Sequence, residues 1–161
     1  MASAFEHAFT AYTLKNFTTN PLLNNKFLFF VVASSIMPDI DILAFRFDIA
    51  YSDLWGHRGM THSLLFAFIW SIFLWFIILR SSDYRHQRFI SKTSITAITI
   101  LFLSTSSHGI LDAMTNGGLG VAFFSPFDTT PTFYPGNPYK FHRLGWVHFS
   151  APPDCEFLSV N

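Results

Sequence analysis

Residues 63–79 form a run of 17 without one charged side chain. No other feature limits the fold so strongly, because a stretch this apolar has to be enclosed by a hydrophobic core or by a bilayer. A membrane span is the preferred reading, and a buried core helix is the alternative. Composition agrees with the span. Half of the 161 residues are hydrophobic, 21 are phenylalanine and only 12% are charged, against about 25% charged in an ordinary soluble domain. Such a chain covers a water-facing surface poorly. Its formal net charge is zero with histidine neutral, so no global field draws nucleic acid and no direct nucleic-acid partner is expected. The lone Cys155 excludes an internal disulfide framework and a cysteine-rich zinc site. Any metal here must be held by histidine and carboxylate.

Around that run the chain divides readily. Residues 1–14 lack a basic leader region, and Glu6 and His7 interrupt their apolar character, so they are not a secretory signal. Phe5, Ala8, Phe9 and Tyr12 recur at helical spacing and predict a short helix. Residues 16–25 read as a turn, with Pro21 suited to the first turn of the next helix. That helix is expected over about 22–37, short of the roughly 20 apolar residues of a comfortable span, with Pro38 stopping it. Residues 39–56 are expected to be a loop with at most a helical turn. Residues 94–111 are the next candidate span, with Gly117-Gly118 ending the helix. Residues 121–127 read as a short strand or an apolar loop. From Phe127 onward the chain is dense in Pro, Gly and aromatics without helical period. The expected fold is an all-α integral membrane bundle of three to four helices with an irregular C-terminal region. A membrane-embedded domain over 1–138 precedes an irregular tail, 139–161.

Polar residues gather where the apolar segments end: Pro38-Asp39-Ile40-Asp41, His57-Arg58-Gly59-Met60-Thr61-His62-Ser63 and His108-Gly109-Ile110-Leu111-Asp112. The basic loop 80–92 carries Arg80, Arg85, Arg88 and Lys92 against Asp83, which places it in the cytoplasm. His57, His62, His108 and Asp112 then meet at the opposite, non-cytoplasmic face. An N-terminal helical hairpin would bring His7, Asp39 and Asp41 there too. His108 and Asp112, four apart, share one face of a helix. Asp39 and Asp41, two apart, point the same way on an extended segment. His57 and His62 converge only if His57 sits in the loop and Thr61 or Ser63 caps the helix that follows. Each cluster alone is more often a cap or a hydrogen-bonded helix end. Together, in a chain this poor in charge, they point to a divalent metal, zinc foremost, with iron, manganese or nickel also suited to such ligands.

The same string, continued through Thr115-Asn116-Gly117-Gly118 and Pro126-Phe127, resembles the YdjM-like family over roughly residues 7–138. Its most specific element is His-Arg-Gly-x-Thr-His-Ser. That family is described as LexA-binding, inner-membrane-associated and metal-dependent in its hydrolysis, and it is distantly similar to zinc-dependent phospholipase C. The resemblance implies His7, Asp39, Asp41, His57, His62, His108 and Asp112 as ligand candidates in a bacterial inner-membrane protein. It also implies hydrolysis of an ester or phosphoester. Family members continue with a further apolar segment, whereas 139–161 has none, as a truncated C-terminus would leave. Metal-activated water is the expected nucleophile, with an unligated carboxylate, Asp41, as base and Arg58 binding an anionic substrate or stabilising developing charge. Thr61 and Ser63 fit caps or donors to a histidine, while His86, His142 and His148 are expected to lie outside the site. Membrane lipid is the natural substrate class for a site at that depth. The alternative is a non-enzymatic membrane protein that binds metal or holds a regulatory protein partner. A third reading is a soluble helical bundle buried in a complex.

Overall fold

The computed structural model of the chain describes residues 3–49, 53–81, 83–115 and 120–132. Four α-helices run alternately up and down: α1 Ala4–Asn16, α2 Asn25–Ile36, α3 Leu64–Leu79 and α4 Lys92–Met114. Each starts on a short polar side chain that accepts a backbone N–H of the first turn: Ser3, Asn24, Ser63 and Ser91. Such caps satisfy amide donors that the helix itself leaves unpaired. Ser3 and Glu6 complete a reciprocal capping box. The only pairing outside helices among the described residues is an isolated antiparallel bridge between Val121 and Thr132. The short-strand reading of 121–127 thus reduces to a turn-rich loop. The Gly117-Gly118 pair and the tail 139–161 lie outside the described residues.

Three sequence expectations change. Pro38 does end the α-helix, but no loop follows. The chain tightens into a 3-10 helix, Met37–Phe47, with Pro38 in its first turn, where a missing N–H costs nothing. Asn25–Phe47 is therefore one helical rod of 23 residues, and it matches Lys92–Met114 as a segment long and apolar enough to cross a membrane. α3, whose sequence is the most apolar, has only 16 residues, about 24 Å at 1.5 Å per residue. Pro21 falls in the turn before α2, whose cap is Asn24. In α1 the apolar stripe faces outward: Phe5 and Phe9 are 78% and 61% exposed, whereas His7 and Ala11 are buried. An outward aromatic face and an inward histidine suit a lipid-facing bundle with a polar interior.

α4 packs against each of the other three helices. Toward its N-terminal end the interior is apolar, built from Phe27, Val31, Trp75, Ile78, Ala97 and Leu101. At that end Lys26 pairs with Asp83 at 2.6 Å and Tyr84 donates to Asn24, tying the basic loop to the 17–24 turn. Midway the interior turns polar. Ser104 Oγ donates to the Val31 carbonyl at 2.9 Å, Ser34 and Thr105 share a 2.7 Å hydrogen bond, and Trp70 Nε1 donates to Ser34. Small hydroxyl residues let helices approach closely while remaining hydrogen-bonded in an apolar medium. Beyond this belt, at the C-terminal end of α4, the histidines and aspartates gather.

Candidate metal centre

Three helix ends meet at this site. The 3-10 run brings in Asp39 and Asp41. A second 3-10 turn, Met60–His62, brings in His62, and the last two turns of α4 bring in His108 and Asp112. Asp39, His62, His108 and Asp112 each place one ligand atom within 4.8 Å of all the others, so the group could hold a metal ion. His62 Nε2 lies 3.9 Å from Asp39 Oδ1 and 3.6 Å from Asp112 Oδ2. His108 Nε2 lies 3.1 Å and 4.0 Å from the same two atoms. A tetrahedron with arms of about 2.0–2.1 Å has edges of about 3.3–3.4 Å, within this spread.

Second partners set the tautomers. His108 Nδ1 faces the Ser35 carbonyl at 2.7 Å, which only accepts, so Nδ1 carries the hydrogen. His62 Nδ1 lies 3.1 Å from Asp41 Oδ2 and 3.1 Å from Thr61 Oγ1, whose own proton goes to Asp41. Nδ1 is again the donor. In the neutral rings both Nε2 lone pairs therefore point at carboxylates, and His62 Nε2 has no hydrogen-bond partner. A lone pair facing an anion is repulsive unless a cation lies between them. Burial opposes charge on His62, but the carboxylates of Asp112 and Asp41 outweigh it and raise its pKa above the usual value. Charge counting leads to the same place. With both imidazoles neutral, as metal ligands must be, Asp39, Asp41 and Asp112 against Arg58 leave two negative charges in a mostly buried cluster, which one divalent ion would neutralise.

The other residues singled out in the sequence lie around this group rather than in it. Asp41 accepts from His57 Nδ1 at 2.6 Å, Arg58 N at 3.0 Å and Thr61 Oγ1 at 2.6 Å, besides facing His62. It thus sits behind the imidazoles. The expectation that Asp39 and Asp41 point the same way fails because a 3-10 helix repeats every three residues, not two. Asp41 shares the buried face with Pro38, and Asp39 turns into the group. His57 reaches the site through Asp41, its ring 5.7 Å from that of His62. His7 is buried and stacks on His108 at 3.8 Å, with no hydrogen bond at either ring nitrogen. Burial, reinforced by His108, pushes its pKa down to about 4, so its ring is neutral at pH 7. Arg58 is only 2% exposed, so its guanidinium faces the protein interior. Its Nε lies 3.0 Å from Asp112 Oδ2, and its terminal nitrogens donate to the Asp112 carbonyl and Thr115 Oγ1 at 3.4 and 3.5 Å. Ser63 caps α3, so His57 and His62 are both free of that helix.

Backbone details make this convergence possible. Arg58 has φ 68°, a left-handed conformation uncommon outside glycine. Its N–H thereby meets Asp41 while its side chain meets Asp112. A Cβ on Gly59 would lie 2.5 Å from the Leu54 carbonyl oxygen, and one on Gly109 3.1 Å from that of His62. Gly109 thus lets the Met60–His62 turn lie directly on α4. Gly59→Ala, whose Cβ would sit 2.5 Å from a backbone oxygen, is expected to destabilise the protein by about 1–3 kcal/mol through overpacking and to weaken metal binding with it, as thermal unfolding in detergent with and without zinc would show. Sequence reasoning missed Ser35, whose role rests on its carbonyl and carries no side-chain signal.

Fold and site define an all-helical membrane protein with a buried His/Asp group able to hold a metal ion. The chain belongs to the family described as YdjM inner membrane protein, which matches residues 1–157. It is 32% identical over 127 residues to the inner membrane protein YbcI of Escherichia coli (strain K12), an alignment covering 79% of this chain and 69% of that protein. No solved structure matches the chain.

Proposed function

We propose that this protein is a membrane-bound metal-dependent hydrolase acting on an ester or phosphoester, with zinc as the ion. The observation that carries the reading is the convergence of one ligand atom each from Asp39, His62, His108 and Asp112 within 4.8 Å of one another, with the Nδ1 atoms of both histidines already held by Ser35 and Asp41. His62, His108, Asp39 and Asp112 would hold the ion, which when bound supplies Lewis acidity and lowers the pKa of water toward neutrality. The chain's own residues would do the rest. Asp41 orients His62 and, through Thr61, closes the back of the site. Arg58 holds the Asp112 carboxylate in register. Asp39 has a 22% exposed side chain, whereas those of His62, His108 and Asp112 are essentially buried. Substrate would enter on its side, while Asp41, whose oxygens already meet four donors, stays behind the imidazoles.

The basic loop and this group occupy opposite ends of the bundle, so the positive-inside rule supports a non-cytoplasmic site. A site at the ends of helices that carry exposed aromatics such as Phe5 and Phe9 suits a lipid or lipid-linked substrate. One observation favours a second reading. Four protein donors complete a tetrahedral shell, as in structural or sensing sites, which fits a non-enzymatic metal-binding membrane protein.

Zinc-loaded protein in mixed micelles, assayed against phosphoester and carboxylester lipids, separates the two. Turnover abolished by a chelator and restored by zinc supports the hydrolase. Stoichiometric zinc with no turnover supports the other reading. Asp41→Asn is expected to weaken zinc affinity by about 10–100-fold without removing a ligand, measurable by competition with a chromogenic chelator.

A further inference from the structure

A second feature lies at the other end of the bundle and is independent of the hydrolase reading. Ile69, Ile72, Phe73 and Phe76, one stripe of α3, form with Phe89 of the basic loop an apolar groove of about 410 Å³. Their spacing of 3, 4 and 7 residues keeps them on one helix face. Ile69, Phe73 and Phe76 are 55%, 51% and 44% exposed, so the groove opens outward to the acyl region of a bilayer. One turn beyond Phe76 the character changes. The Arg80 guanidinium sits 4.0 Å over the Phe76 ring, which fixes a cation at the mouth of the groove. Phe89 packs along the other wall, and its neighbour Arg88 is exposed beside it, as are Arg85 and Lys92. The nearest acid in the loop, Asp83, is already paired with Lys26, leaving the cationic excess unbalanced.

Arg80 lies eleven residues after Ile69, about 16 Å along the helix axis. That places an acyl chain and its own headgroup at the two ends of one feature.

We propose that this groove binds one anionic phospholipid from the surrounding bilayer. Its acyl chain would lie along Ile69, Ile72, Phe73 and Phe76, and its phosphate would be held by Arg80 and Arg88. Charge complementarity selects the headgroup, because basic residues just outside a span attract anionic lipid by about fivefold in affinity each. The groove supplies the contact that a loose ionic atmosphere lacks.

The full-length protein, purified in maltoside detergent, is titrated with phosphatidylglycerol or phosphatidylcholine of identical acyl chains, and occupancy is read by native mass spectrometry. Phosphatidylglycerol is expected to bind about tenfold or more tightly, with saturation at one copy. The double variant R80Q/R88Q should lose most of that preference, keeping only what Arg85 and Lys92 contribute. Ile69→Trp, which fills the groove from an exposed position, should weaken both together. Unchanged helical circular dichroism and unchanged zinc stoichiometry show that each variant is folded, since none of these residues touches the histidine site. Equal affinity of the parent for the two lipids overturns the proposal. So does a preference undiminished in R80Q/R88Q, or an affinity for phosphatidylglycerol untouched by Ile69→Trp.

Discussion

His62→Ala and His108→Ala are each expected to purify with less than about a tenth of an equivalent of zinc, beside roughly one equivalent in the parent, because each removes one of only four converging donors. The result follows from how the ligand atoms are held. Both Nε2 atoms face the same two carboxylates at 3.1–4.0 Å, and neither ring can rotate away without breaking a buried hydrogen bond at Nδ1. Loss of one imidazole leaves Asp39 and Asp112 with a single nitrogen and an ion more weakly bound by orders of magnitude. Elemental analysis of detergent-purified protein measures this directly, with helical circular dichroism as the folding control. Metal-free parent protein, after zinc supplementation and with its helices intact, would sink the metal reading. The cation between those lone pairs and carboxylates would then be a proton.

The second large effect lies at Arg58. Its guanidinium and the Asp112 carboxylate are both about 1% exposed at the side chain. Removing one member of such a buried pair strands the other, at a cost of about 3–5 kcal/mol. Arg58→Met should therefore destabilise metal-free protein by about that amount, read as a lowered thermal midpoint in detergent. Arg58→Met combined with Asp112→Asn should lose less than the two single changes added together, because no charge is left stranded. Additive losses would show that the pair carries no coupling and that Arg58 acts through packing alone. Zinc should rescue the singly substituted Arg58→Met in part, since a dication between Asp39, His62, His108 and Asp112 also compensates Asp112. That rescue would distinguish a positioning role from a purely structural one.

Local signals were strong enough to be read in one dimension. The charge-free run, the scarcity of ionisable groups and the positions of polar clusters at apolar segment ends depend only on residue type and order. They carried the all-α class, the membrane setting and the general location of a His/Asp site, while the family followed from the resemblance of the His-Arg-Gly-x-Thr-His-Ser string and the motifs around it. Ser63 as a cap was legible for the same reason, since a cap is a contact within four residues. The short N-terminal helix stands as expected, and its apolar face turns outward. Errors arose where two structures satisfy one local pattern. Pro38 ends an α-helix but tolerates a 3-10 one. That choice lengthened α2 into a 23-residue rod and sent Asp39 and Asp41 in different directions.

The division of labour within the site was a matter of tertiary structure alone. Seven residues have ligand chemistry by sequence, but only distances between helices place Asp39, His62, His108 and Asp112 around one point and leave Asp41, His57 and His7 behind or beside it. Side-chain chemistry is written in the residue, whereas a coordination group is a set of separations between chain segments up to 73 residues apart, as His108 and Ser35 are. Those separations exist only once α4 packs against α2 and the Met60–His62 turn settles onto Gly109.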